Sequence, residues 1–344
     1  MMTHREACDL FDNDDLIGIG MEADALRRKL HPEGVVSYII DRNINYTNFC
    51  TEYCSFCAFY RPMGHKEGYI LEFQTILDKI QETVDLGGTG VLMQGGLHPD
   101  LKIEWYEDML RACKTRFPRV HMHCFSAPEI TNIAEVSGLP LRDTIARLRD
   151  AGLDSIPGGG AEILDDAVRH RISRLKCTTQ DWIDVHLTAH NLGMRTTATM
   201  MFGCGETMEQ RVNHLETVRR IQEETGGFTA FIPWSFQREN TSLGRFVKQE
   251  ATAVEYLKTL AISRIYLENI LNVQSSWVTQ GLKTCQLGLR FGGNDVGSIM
   301  IEENVVSAAG ARNRANEEEL RHIIRDAGFT PKQRDTLYRT YFLN

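Results

Sequence analysis

Three cysteines lie close together in the segment 48–60, the cysteine loop, where Cys50, Cys54 and Cys57 follow the spacing Cys-x3-Cys-x2-Cys. No fourth cysteine lies near them in the sequence. An iron–sulfur cluster built for electron transfer takes four cysteines, and so does an all-thiolate zinc site. Three thiolates can hold three irons of a cubane cluster and leave the fourth iron open to another molecule. The spacing therefore predicts a [4Fe–4S] cluster with one open coordination position.

A zinc ion is the alternative ligand for these thiolates, with a distant residue such as His65 or Cys204 completing its shell. The aromatic residues Phe56, Phe59 and Tyr60 belong to the cysteine loop. A reduced cluster requires dry surroundings of low dielectric constant, which tune its potential. The aromatic residues therefore favour the cluster over zinc.

Composition and charge limit the other partners of the chain. The 344 residues carry a net charge of −8 without a long basic run, so neither nucleic acid nor an anionic membrane is expected as a partner. No apolar stretch approaches the ~20 residues that span a bilayer, and the first residues do not resemble a signal peptide. Nine cysteines are an odd number, which argues against a disulfide framework and predicts reduced thiols in the cytoplasm.

The elements that must position the cysteine loop follow from apolar spacing, which predicts a helix over residues 12–31 and then alternating strands and helices. The predicted strands are 35–41, 90–94, 119–125, 153–156, 195–201, 228–233, 270–274 and 289–292. The predicted helices are 72–86, 104–116, 141–151, 179–192, 208–224 and 254–266.

This alternation predicts an α/β protein with a parallel (βα)8 TIM-type barrel. We expect an N-terminal helical cap (1–34), the barrel (35–310) and a C-terminal extension packed on the barrel (311–344).

Glycine-rich motifs follow two of the predicted strands, at the barrel end where active sites form. Gln94-Gly95-Gly96 lets the backbone approach a ligand closely. Pro157-Gly158-Gly159-Gly160 offers unhindered amides before a predicted helix and is followed by Glu162. The second motif is interpreted as the floor of a cofactor site or, equally well, as a tight turn that closes the barrel.

Histidines and basic residues also occur near the predicted strand ends. His121 and His123 share one face of a strand and are interpreted as packed inside the barrel or facing a substrate rather than as a metal pair. The one local basic cluster could meet a substrate carboxylate, although a solvated helix face is its default interpretation; it comprises Arg169, Arg171, Arg174 and Lys176.

The lead-in Asn43-Ile44-Asn45-Tyr46-Thr47-Asn48 and the cysteine loop resemble the radical S-adenosylmethionine (SAM) enzymes of futalosine-dependent menaquinone synthesis and deazaflavin-cofactor synthesis. Further strings resemble the cyclic dehypoxanthine futalosine synthases within that group. They are the strings at 94–99, 154–163, 196–203, 225–234, 274–278 and 300–306. The resemblance covers about residues 35 to 340, with small departures at Gly293, where alanine is expected, and at Cys204.

The resemblance implies a barrel of the radical SAM kind, whose open iron binds the amino and carboxylate groups of SAM. Gln94-Gly95-Gly96 resembles the glycine-rich motif that hydrogen-bonds the methionyl amino group, with Leu97 in place of the usual acidic residue. Phe56, Gly158-Gly159-Gly160 and Glu162 are predicted as further residues of the cofactor site, with Glu162 available for the ribose hydroxyls. An external electron donor would supply the electron. The resulting 5′-deoxyadenosyl radical would take the 4′ hydrogen of the ribose of dehypoxanthine futalosine, and the carbon radical would add to the benzoate ring.

Loss of a proton and an electron would then restore the aromatic ring, and the proton needs a nearby base. Glu129, Glu206, Asp295 and Glu302-Glu303 are predicted to stand at the mouth, although a carboxylate there is often only a helix cap. The candidate bases are Glu129, Glu206, Asp295 and the two strand histidines. Two alternatives remain open. One is a sister radical SAM activity, aminofutalosine synthase or the deazaflavin-forming subunit, and the other is a zinc or iron–sulfur protein without turnover.

Overall fold

Short buried strands in parallel pairing form the centre of the molecule, of which the computed structural model describes residues 2–339. The strands are β1 (Val35–Ile39), β2 (Asn43–Ile44), β3 (Gly90–Met93), β4 (His121–Cys124), β5 (Ser155–Ile156), β6 (Arg195–Phe202), β7 (Phe228–Ser235), β8 (Asn272–Val273), β9 (Asp295–Ser298) and β10 (Thr330–Gln333). Strands β2 to β8 form one seven-stranded sheet in sequence order, and β10, β1 and β9 form a second sheet in that order.

Helices follow most of the strands and cover the large sheet. They are α1 (His4–Asp12), α2 (Leu16–Leu30), α3 (Phe73–Asp85), α4 (Ile103–Arg116), α5 (Ala127–Ser137), α6 (Leu141–Ala151), α7 (Asp166–Ile172), α8 (Thr179–Asn191), α9 (Met208–Thr225), α10 (Ala253–Tyr266), α11 (Gly281–Gly288), α12 (Val305–Ala308) and α13 (Glu317–Asp326). Across residues 2–339 we find no helix with the length and apolarity that a membrane crossing requires.

The small sheet continues the large one. A parallel bridge between Gln274 and Asp295 joins β8 to β9, β9 pairs with β1, and residues 40–42 lead from β1 into β2. A main apolar core lies between the large sheet and its helices, while Val36, Tyr38 and Trp277 belong to a second core around the small sheet. The strand ends therefore surround one common space from both sheets.

The predicted fold class is confirmed, because a curled parallel sheet with covering helices is the barrel type that the alternation indicates. All six predicted helices are present, with bounds that differ by at most one residue at either end. The missed helices include α5, which carries Glu129, and α13 in the predicted C-terminal extension. The last positions of that extension, 340–344, lie outside the described residues, as does residue 1 of the predicted cap.

Three predicted elements are wrong in detail. The single helix 12–31 is two helices, because Asp15 accepts a hydrogen bond from the Gly18 amide and starts a new helix. Segment 35–41 does not open the large sheet, since β1 pairs with β9 and β10 and the two residues of β2 take that place. Segment 289–292 is a turn after α11, and the strand comes later, at Asp295–Ser298.

A buried ion pair holds residues after β10 against the small sheet. Asp295 accepts hydrogen bonds from Nε and Nη2 of Arg334 at 2.5 and 3.0 Å. It also accepts one from the Ser37 hydroxyl at 2.6 Å and one from the Gly297 amide at 2.8 Å. Removing one partner from a buried pair leaves an uncompensated charge, which costs more than the pair itself contributes.

We expect Arg334→Ala to lower the free energy of unfolding by about 3–5 kcal/mol, because the Asp295 carboxylate would stay buried without its guanidinium. Urea denaturation of the reduced chain, followed by circular dichroism, measures the change. The matched control is Arg312→Ala, whose side chain is 84% exposed beside Glu239. The control should lose about 0.5 kcal/mol or less. Equal losses in the two variants would contradict the assigned role of the pair.

Candidate active site

The cysteine loop follows β2 and is held by backbone hydrogen bonds to neighbouring segments. The Cys50 amide donates to the Arg61 carbonyl at 3.1 Å, and the Ser55 amide donates to the Ile172 carbonyl at 2.8 Å. Cys50 and Cys54 are buried, Cys57 is half-buried, and all three thiols are free. Burial raises the pKa of the Cys50 and Cys54 thiols, so binding of a metal would have to displace their protons.

The three thiols remain predicted cluster ligands. Within residues 2–339, no three His, Cys, Asp or Glu side chains form a group that could hold a metal ion. What the structure does provide is a tightly packed support for the loop. A Cβ atom at Gly96 would lie 2.1 Å from the Phe49 carbonyl oxygen and 2.9 Å from Cys50 Cβ. The Gly-Gly motif therefore serves close packing against the cysteine loop.

The amides of this motif are already occupied by protein acceptors. The Gly95 amide donates to Glu129 Oε1 at 2.8 Å, and the Gly96 amide donates to the Thr47 carbonyl at 2.9 Å. The Gln94 side chain lines a cavity. Gly95 and Gly96 have no side chains, so Gln94 is the residue of the motif that can contact a ligand in that cavity.

This cavity, the chamber, has a volume of about 320 Å³ and lies where the strand ends of both sheets converge. Its apolar lining includes Leu92, Ile232, Trp234 and Met300. Its polar lining is drawn from nearly every strand end and from the segment after β10; it includes Asp41, Asn43, Gln94, His123, Gly158, Gly159, Gly160, Glu162, Thr197, Thr199, Gln274, Glu303, Arg334 and Tyr338.

Glu162 connects the chamber to the cysteine loop through Lys176. Lys176 Nζ donates to Glu162 Oε1 at 2.9 Å and lies 5.3 Å from the centre of the Phe56 ring. The other carboxylate oxygen, Oε2, is buried and lies 3.7 Å from Arg169 Nη1, an ion-pair contact that is too long for a hydrogen bond, so its hydrogen-bonding capacity is unused among the described residues. A buried polar atom without a hydrogen bond is costly. Glu162 is therefore the chamber residue best prepared to accept a hydrogen bond from a ligand hydroxyl.

The triple-glycine segment is a turn in the chamber wall and not the start of a helix, because α7 begins only at Asp166. The Gly158 amide donates to the Thr197 hydroxyl at 2.9 Å, and its carbonyl accepts from the Thr199 hydroxyl at 2.7 Å. A Cβ atom at Gly158 would lie 2.6 Å from Ala198 Cα. The interpretation as unhindered amides at a helix N-terminus is therefore wrong, whereas the close approach of this backbone to the chamber is present.

The basic cluster splits into two inward-facing and two outward-facing side chains. Arg169 is buried, and it donates to the Gly160 and Ala161 carbonyls at 3.0 and 2.7 Å. Lys176 is 11% exposed and paired with Glu162. Arg171 and Arg174 are exposed. The default of a solvated helix face is therefore wrong for Arg169 and Lys176, because both stabilise the turn that carries Glu162.

The carboxylate of Glu129, predicted as a base, is committed to structure. Its Oε1 accepts from the Tyr46 hydroxyl at 2.6 Å and from the Gly95 amide, while Oε2 accepts from the Ser126 amide and hydroxyl at 2.8 and 2.6 Å. Ser126 and Glu129 together form a capping box at the start of α5. Glu129 does not line the chamber. Its hydrogen bonds instead hold the segments after β2, β3 and β4 in position.

Glu206 and Asp295 are committed in the same way. Glu206 accepts from the Gly203 amide at 2.7 Å, the Cys204 amide at 2.8 Å and Arg211 Nε at 2.6 Å. Asp295 accepts hydrogen bonds from Arg334, as described above. Neither carboxylate lines the chamber, so the sequence-based choice of these residues as bases is not supported by their geometry.

The two strand histidines share one hydroxyl. His121 Nε2 and His123 Nδ1 lie 2.7 and 2.6 Å from the Ser155 hydroxyl oxygen. Burial lowers the pKa of His123 to about 3, so its ring is neutral near pH 7. His123 lines the chamber, whereas His121 does not. The interpretation of an interior or substrate-facing pair agrees with this placement.

Sequence reasoning missed Asp41, Arg334 and Tyr338, all of which line the chamber. Arg334 and Tyr338 lie in the segment after β10, where the sequence offered no periodic signal. Asp41 could have been found, because Ile39, Asp41 and Asn43 alternate along the chain and all three line the chamber.

A second, wider depression of about 1180 Å³ lies between residues 57–67 and 238–250. Cys57 lines it, unlike Cys50 and Cys54. The lining is mostly polar and charged and shares no residue with the chamber. The cysteine loop is therefore reached from outside at Cys57.

Comparisons with known proteins agree with this arrangement. The model of the radical SAM superfamily matches residues 44–218, and that of the CofH/MqnC C-terminal region matches residues 225–343. Among solved structures, methylornithine synthase (PylB) has a TM-score of 0.76 at 16% identity, covering 96% of this chain and 94% of its own. The FeFe-hydrogenase maturase HydG from Carboxydothermus hydrogenoformans has a TM-score of 0.75 at 14% identity, covering 99% and 78%. At these identities, the structures show the fold alone.

Sequence relatives are much closer. Cyclic dehypoxanthine futalosine synthase from Halalkalibacterium halodurans is 51% identical over 337 residues, covering 98% of this chain and 90% of the relative. The protein of that name from Streptomyces coelicolor is 45% identical over 98% of this chain and 85% of its own. A 5-amino-6-(D-ribitylamino)uracil–L-tyrosine 4-hydroxyphenyl transferase from Methanococcoides burtonii is 45% identical over 92% and 90%. The chain is therefore an enzyme of the radical SAM superfamily, and it belongs to the family of the cyclic dehypoxanthine futalosine synthases, with a CofH/MqnC C-terminal region.

Proposed function

We propose that this enzyme converts dehypoxanthine futalosine into cyclic dehypoxanthine futalosine, a step of menaquinone synthesis. The observation that carries the proposal is the 51% identity, over 98% of this chain, to a protein of that name. The chamber supports it, since side chains from nearly every strand end face one internal space. Radical chemistry needs such a space, because it requires exclusion of water and near-contact positioning of the reacting atoms.

The chain's residues fit the cofactors of its superfamily. Cys50, Cys54 and Cys57 would hold the [4Fe–4S] cluster as free thiols of one supported loop. Glu162 Oε2, which accepts no hydrogen bond from the described residues and has Arg169 at ion-pair distance, would accept one from a ribose hydroxyl of SAM beside the glycine turn. When bound, the cluster and SAM would supply the 5′-deoxyadenosyl radical that removes the ribose 4′ hydrogen. An external electron donor would approach through the depression at Cys57.

The chamber side chains would exclude water and orient the substrate. Leu92, Ile232 and Trp234 provide an apolar surface that excludes water from the reacting carbons. Gln94, Thr199 and Gln274 bring amide and hydroxyl groups to the same space, where they can orient a polar ribose. These residues come from four different strands or strand ends, so their relative positions are set by the rigid sheet.

A transferase that joins two substrates is the second candidate function. It is favoured by the 45% identity to the Methanococcoides burtonii relative, which equals that of the Streptomyces coelicolor synthase. The two functions differ in their substrates and can be separated directly.

The reduced, cluster-loaded enzyme is expected to turn SAM and dehypoxanthine futalosine into 5′-deoxyadenosine and a cyclised product. The product should be lighter by two hydrogen atoms, because one leaves to the adenosyl radical and one as a proton. Mass spectrometry of both products is the measurement. In parallel, the enzyme receives SAM with 5-amino-6-(D-ribitylamino)uracil and L-tyrosine. A coupled product from this pair, without the cyclised product from the first mixture, would favour the transferase and reject the cyclase.

Replacing Cys50, Cys54 or Cys57 singly by alanine should abolish the brown colour of the anaerobically reconstituted protein. The iron content should fall from about four atoms per chain, because two thiolates do not retain a cubane cluster. Iron and sulfide analysis checks this result. Cys8→Ala is the control, since this half-buried thiol lies on α1 and should leave the iron content unchanged. Colourless protein that contains zinc would reject the cluster.

Glu162→Gln should weaken SAM binding about tenfold, since a neutral amide replaces a charge-assisted acceptor of the ribose. Calorimetry of SAM binding to the cluster-loaded enzyme without reductant measures the dissociation constant apart from turnover. Glu104→Gln is the matched control, because its side chain is 64% exposed on α4 and paired with Arg147. An unchanged dissociation constant in Glu162→Gln would remove this residue from the proposed SAM site.

A further inference from the structure

Three carboxylates line the chamber in the described part of the chain: Asp41, Glu162 and Glu303. Glu303 is fully engaged at the start of α12, where Oε1 accepts from the Val305 and Val306 amides at 2.8 and 2.7 Å. Its Oε2 accepts from the Ser307 amide at 2.6 Å. Such a carboxylate serves as a helix cap and has little capacity left for a proton from a substrate.

Glu162 lies on the side of the chamber that connects to the cysteine loop. It is hydrogen-bonded to Lys176, which itself packs on Phe56 of the cysteine loop. Its second oxygen, 3.7 Å from Arg169 Nη1 and without a hydrogen bond, is assigned to SAM in the proposed function. Asp41 therefore remains as the chamber carboxylate that neither caps a helix nor contacts the cofactor side.

The backbone directs Asp41 into the chamber. It lies two residues after the end of β1, and Ile39 and Asn43 on either side also line the chamber. The intervening Arg42 points away and donates to Glu82 Oε2 at 2.7 Å. This alternation is the ordinary consequence of an extended backbone. Asp41 follows β1 of the small sheet, whereas the turn that carries Glu162 follows β5 of the large sheet.

We propose that Asp41 is the general base that takes the proton in the last step of ring closure, an inference that rests on the proposed function. In the adduct, the C–H bond at the attacked ring carbon breaks, and its proton passes to a carboxylate oxygen of Asp41. One electron of that bond pairs with the unpaired electron to restore the aromatic ring. The other electron leaves to a one-electron acceptor of the iron–sulfur class, so atoms and charge balance.

The surroundings of Asp41 suit this task. Burial raises the pKa of its carboxyl to about 6, against the opposing effects of a hydrogen bond from Ser298 and the charge of Arg334, while the charge of Asp295 adds to the rise. A base whose pKa lies near the working pH combines the correct protonation state with useful basicity. The other titratable groups at the chamber are His123, Glu162, Glu303 and Tyr338; burial keeps His123 neutral and raises the pKa of Tyr338.

The test compares wild type with Asp41→Asn in the loaded enzyme, using substrate deuterated at the ribose 4′ carbon. The carboxamide keeps the shape of the side chain but cannot accept the proton. We expect the rate of cyclised-product formation to fall by about 100-fold or more. Deuterium should still reach 5′-deoxyadenosine or recovered SAM, because hydrogen abstraction precedes the proposed step. Asp41→Glu should restore part of the product, and Asp150→Asn, at a 69% exposed side chain on α6, should behave as wild type.

A second measurement follows the product ratio with pH. In wild type, the ratio of cyclised product to 5′-deoxyadenosine should fall as the pH drops through about 6, because the carboxylate becomes protonated. The ratio should not change in this way in Asp41→Asn.

An unchanged product ratio in Asp41→Asn would overturn the role of Asp41 while leaving the cyclase intact. Loss of deuterium transfer in this variant would also overturn it, since the defect would then precede the proton step. If wild type itself formed no cyclised product, the proposed function would fall and this inference with it.

Discussion

The four hydrogen bonds of Glu129 are the interaction on which the arrangement of the site depends. Burial raises the pKa of this carboxyl, and its hydrogen bonds from Ser126, Tyr46 and Gly95 oppose the rise. The donors come from the segment after β2, the loop after β3 and the loop after β4. One carboxylate thus fixes three neighbouring strand ends relative to one another. The cysteine loop then packs on Gly96 with no space for a Cβ atom, so its position follows from theirs.

A second buried carboxylate organises the opposite wall. Asp295 joins Ser37 of β1 to Arg334 after β10, and it also satisfies the Gly297 amide. This contact brings Arg334 to the chamber and places the C-terminal segment over the strand ends. The chamber therefore has one wall set by Glu129 and another set by Asp295. Both carboxylates stay outside the cavity that they shape.

Much of this architecture could be predicted from the sequence, because long amphipathic helices and strand alternation are local signals. The helices of the large sheet and the position of the cysteine loop after an early strand required nothing more. The two-residue strand β2 could not be predicted, since its pairing with β3 is a tertiary contact without a pattern of its own. The same holds for β9, whose glycine and polar residues, Gly297 and Asp295 among them, give no strand pattern although the strand is mostly buried. Its burial depends on Arg334, 39 positions later in the sequence.

The three carboxylates predicted as bases illustrate why polarity at a strand end is a weak guide to chemistry. A strand end exposes backbone amides that need acceptors, and a helix start that follows adds more. The sequence already contained this information for Glu129, because Ser126 and Glu129 have the spacing of a capping box. A carboxylate in a capping box accepts hydrogen bonds at the start of its own helix. Asp41 has no helix to cap, and strand alternation puts it on the same face as Ile39. A carboxylate in an extended segment that follows the alternation of the inward-facing residues is therefore better placed to meet a chamber ligand than one that caps a helix.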